Sequence, residues 1–233
     1  MKLTLVGLPL GNIEDISLRA IQALTGAKMV ICEDTRVFHK LWQKLQNLGH
    51  LSAPFSGRLL VINDFNEAEK VNWLLEQIGP EGEAILVSDA GLPLISDPGY
   101  RLVKELLSRG GTIGVVPGPT AAMTAVAISG LSADKVLFLG FLPKKLSKRK
   151  ANWELVKAAD GVTVVIYESP FRVTKTLEEI GNEFGDQTQT VVARELTKEY
   201  EQVLRGTVAE LLTSVDKIKG EVVILFRHHT SEV

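Results

Sequence analysis

Residues 84–100 read Ala84-Ile85-Leu86-Val87-Ser88-Asp89-Ala90-Gly91-Leu92-Pro93-Leu94-Ile95-Ser96-Asp97-Pro98-Gly99-Tyr100. The apolar run Ala84 to Val87 stops abruptly at Ser88-Asp89-Ala90-Gly91, and a second turn cluster, Ser96-Asp97-Pro98-Gly99, closes the segment. Short apolar runs bounded by turn residues are buried strands. Open α/β sheets place ligands just past the carboxyl ends of such strands. This loop is therefore a candidate binding edge, and the surrounding chain decides what it binds.

The pattern upstream is strand–helix alternation. Leu3-Thr4-Leu5-Val6 predicts a strand running into the turn Gly7 to Asn12, and Ser17 to Leu24 has helical spacing with Asp15 or Ser17 as cap. Ala27 to Cys32 is a second strand ending in Glu33-Asp34-Thr35-Arg36, followed by a helix over Phe38–Leu48. Leu59, Val61 and Ile62 make a short strand before Asn63-Asp64-Phe65-Asn66-Glu67, and Ala68–Ile78 is an amphipathic helix. Beyond the binding edge come a helix over Gly99–Arg109, a strand over Thr112–Val116 and the turn Pro117-Gly118-Pro119-Thr120. Such alternation implies a mostly parallel sheet with helices on both faces.

A second α/β unit follows, with a hinge between Val116 and Ala121, so the expected domains are residues 1–117 and 118–233. Ala121–Ser129 is helical and Lys135–Leu139 a strand; Pro143–Arg149 reads as a basic loop and Trp153–Ala159 as a helix. Val162–Tyr167 is a strand ending in Glu168-Ser169-Pro170, Thr174–Phe184 a helix, and Thr190–Ala193 a strand ending in Arg194 to Lys198. Glu199–Arg205 is extended, Thr207 caps a helix to Ser214, and Glu221–Phe226 is the last strand. Strand ends in both units carry polar or glycine-rich turns. Two sheets with such edges facing would form one cleft, a preferred small-molecule site.

Composition narrows the chemistry. The 233 residues are 45% hydrophobic and 23% charged, with a formal net charge of −2, so any nucleic-acid surface must be local. No apolar run reaches the length of a membrane span, and the start, Met1 to Asn12, reads as a strand rather than a signal peptide. Cys32 is the only cysteine, and His39, His50, His228 and His229 have no metal-ligand spacing. The expectation is a soluble, cytoplasmic, metal-independent protein. Neither the dinucleotide fingerprint nor the phosphate loop with Gly-Lys-Ser/Thr occurs, which argues against NAD and ATP.

Several strings stand together in order: VGLPLGNIEDISLRA from Val6, CEDTR from Cys32, LVSDAGLPLISDPGYRLV from Leu86, VPGPTA from Val116, GFLPKK from Gly140, YESPFR from Tyr167, ARELTKEYE from Ala193 and KGEVVI from Lys219. By them the chain resembles the bacterial 16S rRNA (cytidine-2′-O)-methyltransferases of the tetrapyrrole-methylase superfamily, from about Leu3 to Phe226. The resemblance implies two α/β domains with S-adenosylmethionine in the cleft between them, a homodimer, and 2′-O-methylation of a cytidine in small-subunit rRNA. It implies cofactor contacts at Pro9, at Ser88, Asp89 and Ala90 with an apolar contact at Leu94 or Ile95, at Thr120 and Ala121, and at Glu168, Leu196 and Val222. Each has a structural alternative. Pro9 suits a turn, Thr120 a helix cap, Glu168 an ion pair, and Leu196 and Val222 a core; Asp97 suits a helix-entry cap.

Methyl transfer to a ribose hydroxyl needs positioning and a proton acceptor. Glu33, Asp34, Glu67 and Glu195 are the candidate carboxylates, and Lys198 would polarise the hydroxyl if burial lowered its pKa. Lys144, Lys145, Lys148, Arg149 and Lys150, beside Phe141 and Trp153 and joined by Arg36, Arg101 and Arg172, form the candidate rRNA surface. The chain departs from the family pattern in places. Asn63-Asp64-Phe65-Asn66-Glu67 stands where relatives carry His-x-His-Asn-Glu, Leu8 and Leu92 stand in for threonines, and a C-terminal extension common among relatives does not follow. A small-molecule tetrapyrrole methyltransferase and a ribosome-assembly factor without turnover are the alternative functions.

Overall fold

The computed structural model describes residues 1–215 and 218–228; His229 lies outside the described residues. The chain divides into two compact units, with the boundary between Thr120 and Ala121.

The first unit contains β1 (Lys2–Val6), α1 (Leu18–Gly26), β2 (Met29–Cys32), α2 (Thr35–Asn47), β3 (Arg58–Val61), α3 (Glu67–Ile78), β4 (Glu83–Leu86), α4 (Tyr100–Ser108) and β5 (Thr112–Val116). The strands form one sheet in the order β3-β2-β4-β1-β5, and every pairing is parallel. Alternate residues of a strand point to opposite faces. Accordingly Met29, Ile31, Ala84 and Leu86 join the core that includes Leu74, Leu75, Leu102 and Leu106 of α3 and α4. Val30, Cys32, Ile85 and Val87 face the other way, onto Leu24 of α1 and Phe38 and Trp42 of α2. Both faces are covered, so the central strands are continuous apolar runs, as parallel sheets require. Ser17 caps α1 by accepting from the Ala20 amide at 3.0 Å.

The second unit contains α5 (Ala121–Ser129), β6 (Val136–Phe141), α6 (Leu146–Lys157), β7 (Val162–Glu168), α7 (Val173–Phe184), β8 (Gln189–Arg194), β9 (Gln202–Thr207), α8 (Val208–Ser214) and β10 (Val222–His228). Its sheet, β6-β7-β10-β8-β9, is mixed, unlike that of the first unit. Only β6–β7 is parallel, and the other pairings are antiparallel. The connection between β8 and β9 is too short for a crossover helix, so these strands pair as a hairpin. The basic segment is also corrected. Helix α6 begins at Leu146, inside the expected loop. A capping box at Thr207 and Glu210 starts α8 as expected.

One core packs Val164, Ile166, Ile224 and Phe226 against helical residues such as Trp153, Leu177 and Leu211; the opposite face packs Val165, Val191 and Leu225 against α5. No helix among the described residues is long and apolar enough to cross a membrane.

Candidate functional site

Because the first sheet is wholly parallel, its strand-end loops gather at one edge. Three are tied together by backbone. The Leu8 amide donates to the Gly91 carbonyl at 2.8 Å, the Gly91 amide returns to Leu8 at 3.1 Å, and the Gly7 amide donates to Val116 at 2.9 Å. A Cβ on Gly7 would sit 2.5 Å from the Cα of Gly118, so the loops after β1 and β5 pass too closely for any side chain. Pro9 is buried in this junction.

The loop after β4 is held in a demanding conformation. Leu94 and Ser96 have φ of 74° and 70°, in the left-handed region that side chains avoid. Such strain persists only where surrounding structure enforces it, and it concentrates at ligand sites. Ser88 is buried and its hydroxyl donates to the Ala90 carbonyl at 3.0 Å, which shapes the turn. Asp89 and Ile95 are exposed and Leu94 is half-buried.

Carboxylates crowd this edge. The Asp89 amide donates to Glu33 at 3.2 Å. Burial pushes the Glu33 carboxyl up to about 7, aided by the charges of Asp97, Asp89 and Asp64 and opposed by the Asp89 amide. Partial desolvation also raises Asp89, with Asp34 adding to it and the Asp34 amide and Arg36 opposing. Burial and the same carboxylates push the Cys32 thiol up to about 12, so it is no nucleophile at neutral pH. An edge that disfavours its own ionisation in this way favours a cation.

Two candidates from the sequence are consumed structurally. Asp34 caps α2 and grips Arg36, and the Arg36 hydrogen bonds hold its carboxyl down near 2; Arg36 is paired with it but stays exposed. Glu67 is corrected from catalyst to cap. It is buried, and its Oε1 accepts from the amides of Gly99, Arg101 and Leu102 at 3.1, 2.7 and 3.4 Å, at the start of α4. That start carries no side-chain cap of its own, so the role expected of Asp97 falls to Glu67. Asp97 lies instead in the electrostatic field of Glu33.

The second unit has its own polar edge, at the carboxyl ends of β6, β7 and β8. Glu168 forms the buried ion pair that was its structural alternative. It is 2% exposed and accepts from Arg172 Nε at 2.7 Å and from the Thr176 hydroxyl at 2.7 Å. Arg149 is corrected from rRNA contact to core ion. Its side chain is 4% exposed, and it donates to Glu179 at 2.7 Å and to Thr176 at 3.1 Å, with Glu168 at 3.9 Å. No sequence pattern distinguished Arg149 from its lysine neighbours; its i+4 partner Trp153, which donates to the same Glu179 carboxylate, was the available signal. Lys144, Lys145, Lys148 and Lys150 are exposed.

Leu196 and Val222 are buried in the two cores. Glu195 accepts from the Glu221 amide at 2.9 Å and from Lys198 at 3.0 Å; the first of these, with Lys198, holds its carboxyl low. Lys198 shifts opposite to expectation: burial pulls it down, but its bonds to Glu221 and Glu195 win and raise it. The Tyr167 hydroxyl accepts from the Ala122 amide at 3.0 Å, which anchors the start of α5 beside Ala121 and Thr120.

The sequence profile of the tetrapyrrole (corrin/porphyrin) methylases matches residues 2–212. The chain belongs to the tetrapyrrole methylase family. Among curated members, it is 37% identical over 226 residues to a ribosomal RNA small subunit methyltransferase I of Thermotoga maritima, covering 96% of this chain and 97% of that one. It is 37% identical to the protein of that name from Escherichia coli O157:H7, over 99% of this chain and 79% of that one. Among solved structures, a cobalt precorrin-4 methyltransferase superposes with a TM-score of 0.69 at 21% identity, over 97% of this chain and 94% of that one. Diphthine synthase does so at 0.66 and 16%, over 97% and 90%. At these identities the structures share the fold. Membership in this methylase family makes the protein a methyltransferase.

Proposed function

We propose that the protein uses S-adenosylmethionine to methylate the ribose 2′-hydroxyl of a cytidine in small-subunit (16S) rRNA, in the cytoplasm and as a homodimer. The observation that carries this reading is the strained, carboxylate-rich edge of the first sheet, in a chain similar along nearly its whole length to proteins named small-subunit rRNA methyltransferases.

S-adenosylmethionine fits the donor set because it is cationic at both its sulfonium and its amino group, and a cation relieves the repulsion among Glu33, Asp89, Asp64 and Asp97. When bound, the sulfonium supplies a methyl group already activated for displacement. Asp89 and the carbonyls of the Ser88–Ala90 turn hold the amino and hydroxyl groups, while Leu94 and Ile95 offer an apolar surface. Pro9, Thr120 and Ala121 complete the cofactor set. Glu33 takes the proton of the 2′-hydroxyl, since a carboxyl near 7 is basic enough to accept one and is about half ionised at neutral pH. Lys144, Lys145, Lys148 and Lys150 meet phosphates, and none forms an ion pair among the described residues.

The test is a map of 2′-O-methylation in small-subunit rRNA from cells with and without this gene. One cytidine should lose its methyl group. An unchanged map, or transfer of label to a precorrin and none to small subunits, overturns the reading.

A further inference from the structure

Two exposed aromatics of the second unit lie on adjoining segments. Phe171, in the 3-10 turn Pro170–Arg172 after β7, is 96% exposed, and Phe141, the last residue of β6, is 57% exposed. Lone exposed apolar residues are ordinary. These are not isolated from each other. Arg172 donates to the Leu142 carbonyl at 3.5 Å, so the turn carrying Phe171 abuts the end of β6.

The framework beneath them is rigid. Arg172 is pinned to buried Glu168 at 2.5 Å, and Glu168 is fixed by Thr176 and faces Arg149. Phe141 is turned by a bulge. The register between β6 and β7 slips between Phe138 and Gly140, with Gly140 at φ 61°. This brings Phe141 opposite Tyr167, with ring centres 5.6 Å apart. Bulges of this kind re-aim side chains at sheet edges.

The surroundings are cationic. Lys144 and Lys145 follow Phe141 by a few residues and are exposed, while the nearby carboxylates Glu168 and Glu179 are engaged inward by Arg149 and Arg172. Aromatic faces held beside lysines that form no ion pair among the described residues match an unstacked nucleotide and its phosphates; an apolar protein surface would gain nothing from the lysines.

We infer that Phe171 and Phe141 form a stacking platform for nucleotides of single-stranded RNA, with Lys144 and Lys145 holding the adjoining phosphates. It rests on the RNA reading above and adds the kind of RNA: a segment whose bases are splayed out of any helix. Phe171 is the principal stacking face and Phe141 the second.

The experiment has two arms, anisotropy of a labelled, unstructured oligoribonucleotide and steady-state methyl transfer to small ribosomal subunits. Phe171→Ala should weaken oligoribonucleotide binding about tenfold, the size of one lost stacking contact, without changing the salt dependence. It should raise KM for subunits by a similar factor with kcat unchanged. Phe171→Trp should restore both. Phe171 is fully solvated, so the thermal transition should not move. Wild-type oligoribonucleotide affinity in Phe171→Ala overturns the inference, as does failure of the unaltered protein to bind the oligoribonucleotide. Loss confined to whole subunits also overturns it, because the ring would then dock a ribosomal protein. Phe171-dependent binding with no methyl transfer leaves the platform standing and sinks the proposed reaction instead.

Discussion

Two glutamates at one sheet edge differ in their surroundings, and the difference assigns each its own test. Glu67 is buried and spends one oxygen on the first amides of α4. Glu67→Ala should destabilise the protein by about 2 kcal/mol in urea unfolding, since it orphans those amides, and Glu67→Gln should cost less because the amide oxygen still accepts. Glu33 is held up at about 7, chiefly by burial. Folded Glu33 binds its proton more tightly than the unfolded chain does, so its contribution to stability falls as pH rises from the ordinary 4.5 through about 7. Glu33→Gln should flatten the stability curve in that window. It should also lower kcat about 10²–10⁴-fold and remove the rising acidic limb of the pH–rate profile, with a smaller loss of S-adenosylmethionine affinity by calorimetry than Asp89→Asn produces. Asp89→Asn should do the reverse and weaken the cofactor. The strings around Cys32 and Leu86 made this edge legible as a candidate site. They did not separate the proposed base from the cap, because that division depends on which carboxylate the start of α4 reaches. A sequence does not record that long-range contact.

At the scale of elements, α6 shows where local signals mislead. Its first turns carry Lys148, Arg149 and Lys150, and cations near a helix N-terminus oppose the helix dipole. The segment therefore reads as a basic loop. Tertiary contacts override this: Arg149 turns inward to Glu179, Thr176 and Glu168, and Trp153 follows one turn later. Removing one partner of a buried ion network leaves the others uncompensated. Arg149→Met should cost about 3–5 kcal/mol in denaturant unfolding, whereas Lys148→Met should be within about 0.5 kcal/mol of wild type. Equal effects of the two would show that the network does not hold α6. The first sheet was legible throughout, because each strand is a doubly buried apolar run closed by a turn. The second was legible as strands but not as pairings. Its short β8–β9 connection and the insertion of β10 between β7 and β8 are topological choices that alternation does not encode.

For the whole molecule, a net charge of −2 leaves no general attraction to RNA. Affinity must come from where the cations sit rather than how many there are. Neutralised phosphates release counterions, and log K falls with log salt by about 0.7 to 0.9 per contact. Replacing Lys144, Lys145, Lys148 and Lys150 by Gln alters the net charge as much as replacing Lys28, Lys40, Lys44 and Lys104, which are exposed in the first unit. If attraction were global, the two quadruple variants would bind small-subunit RNA alike. A local tract predicts that the first loses about 3 from the salt slope and the second keeps it, as read from binding isotherms across a salt series. Equal slopes in the two variants would remove the tract from the RNA surface, whatever the fate of the carboxylate edge.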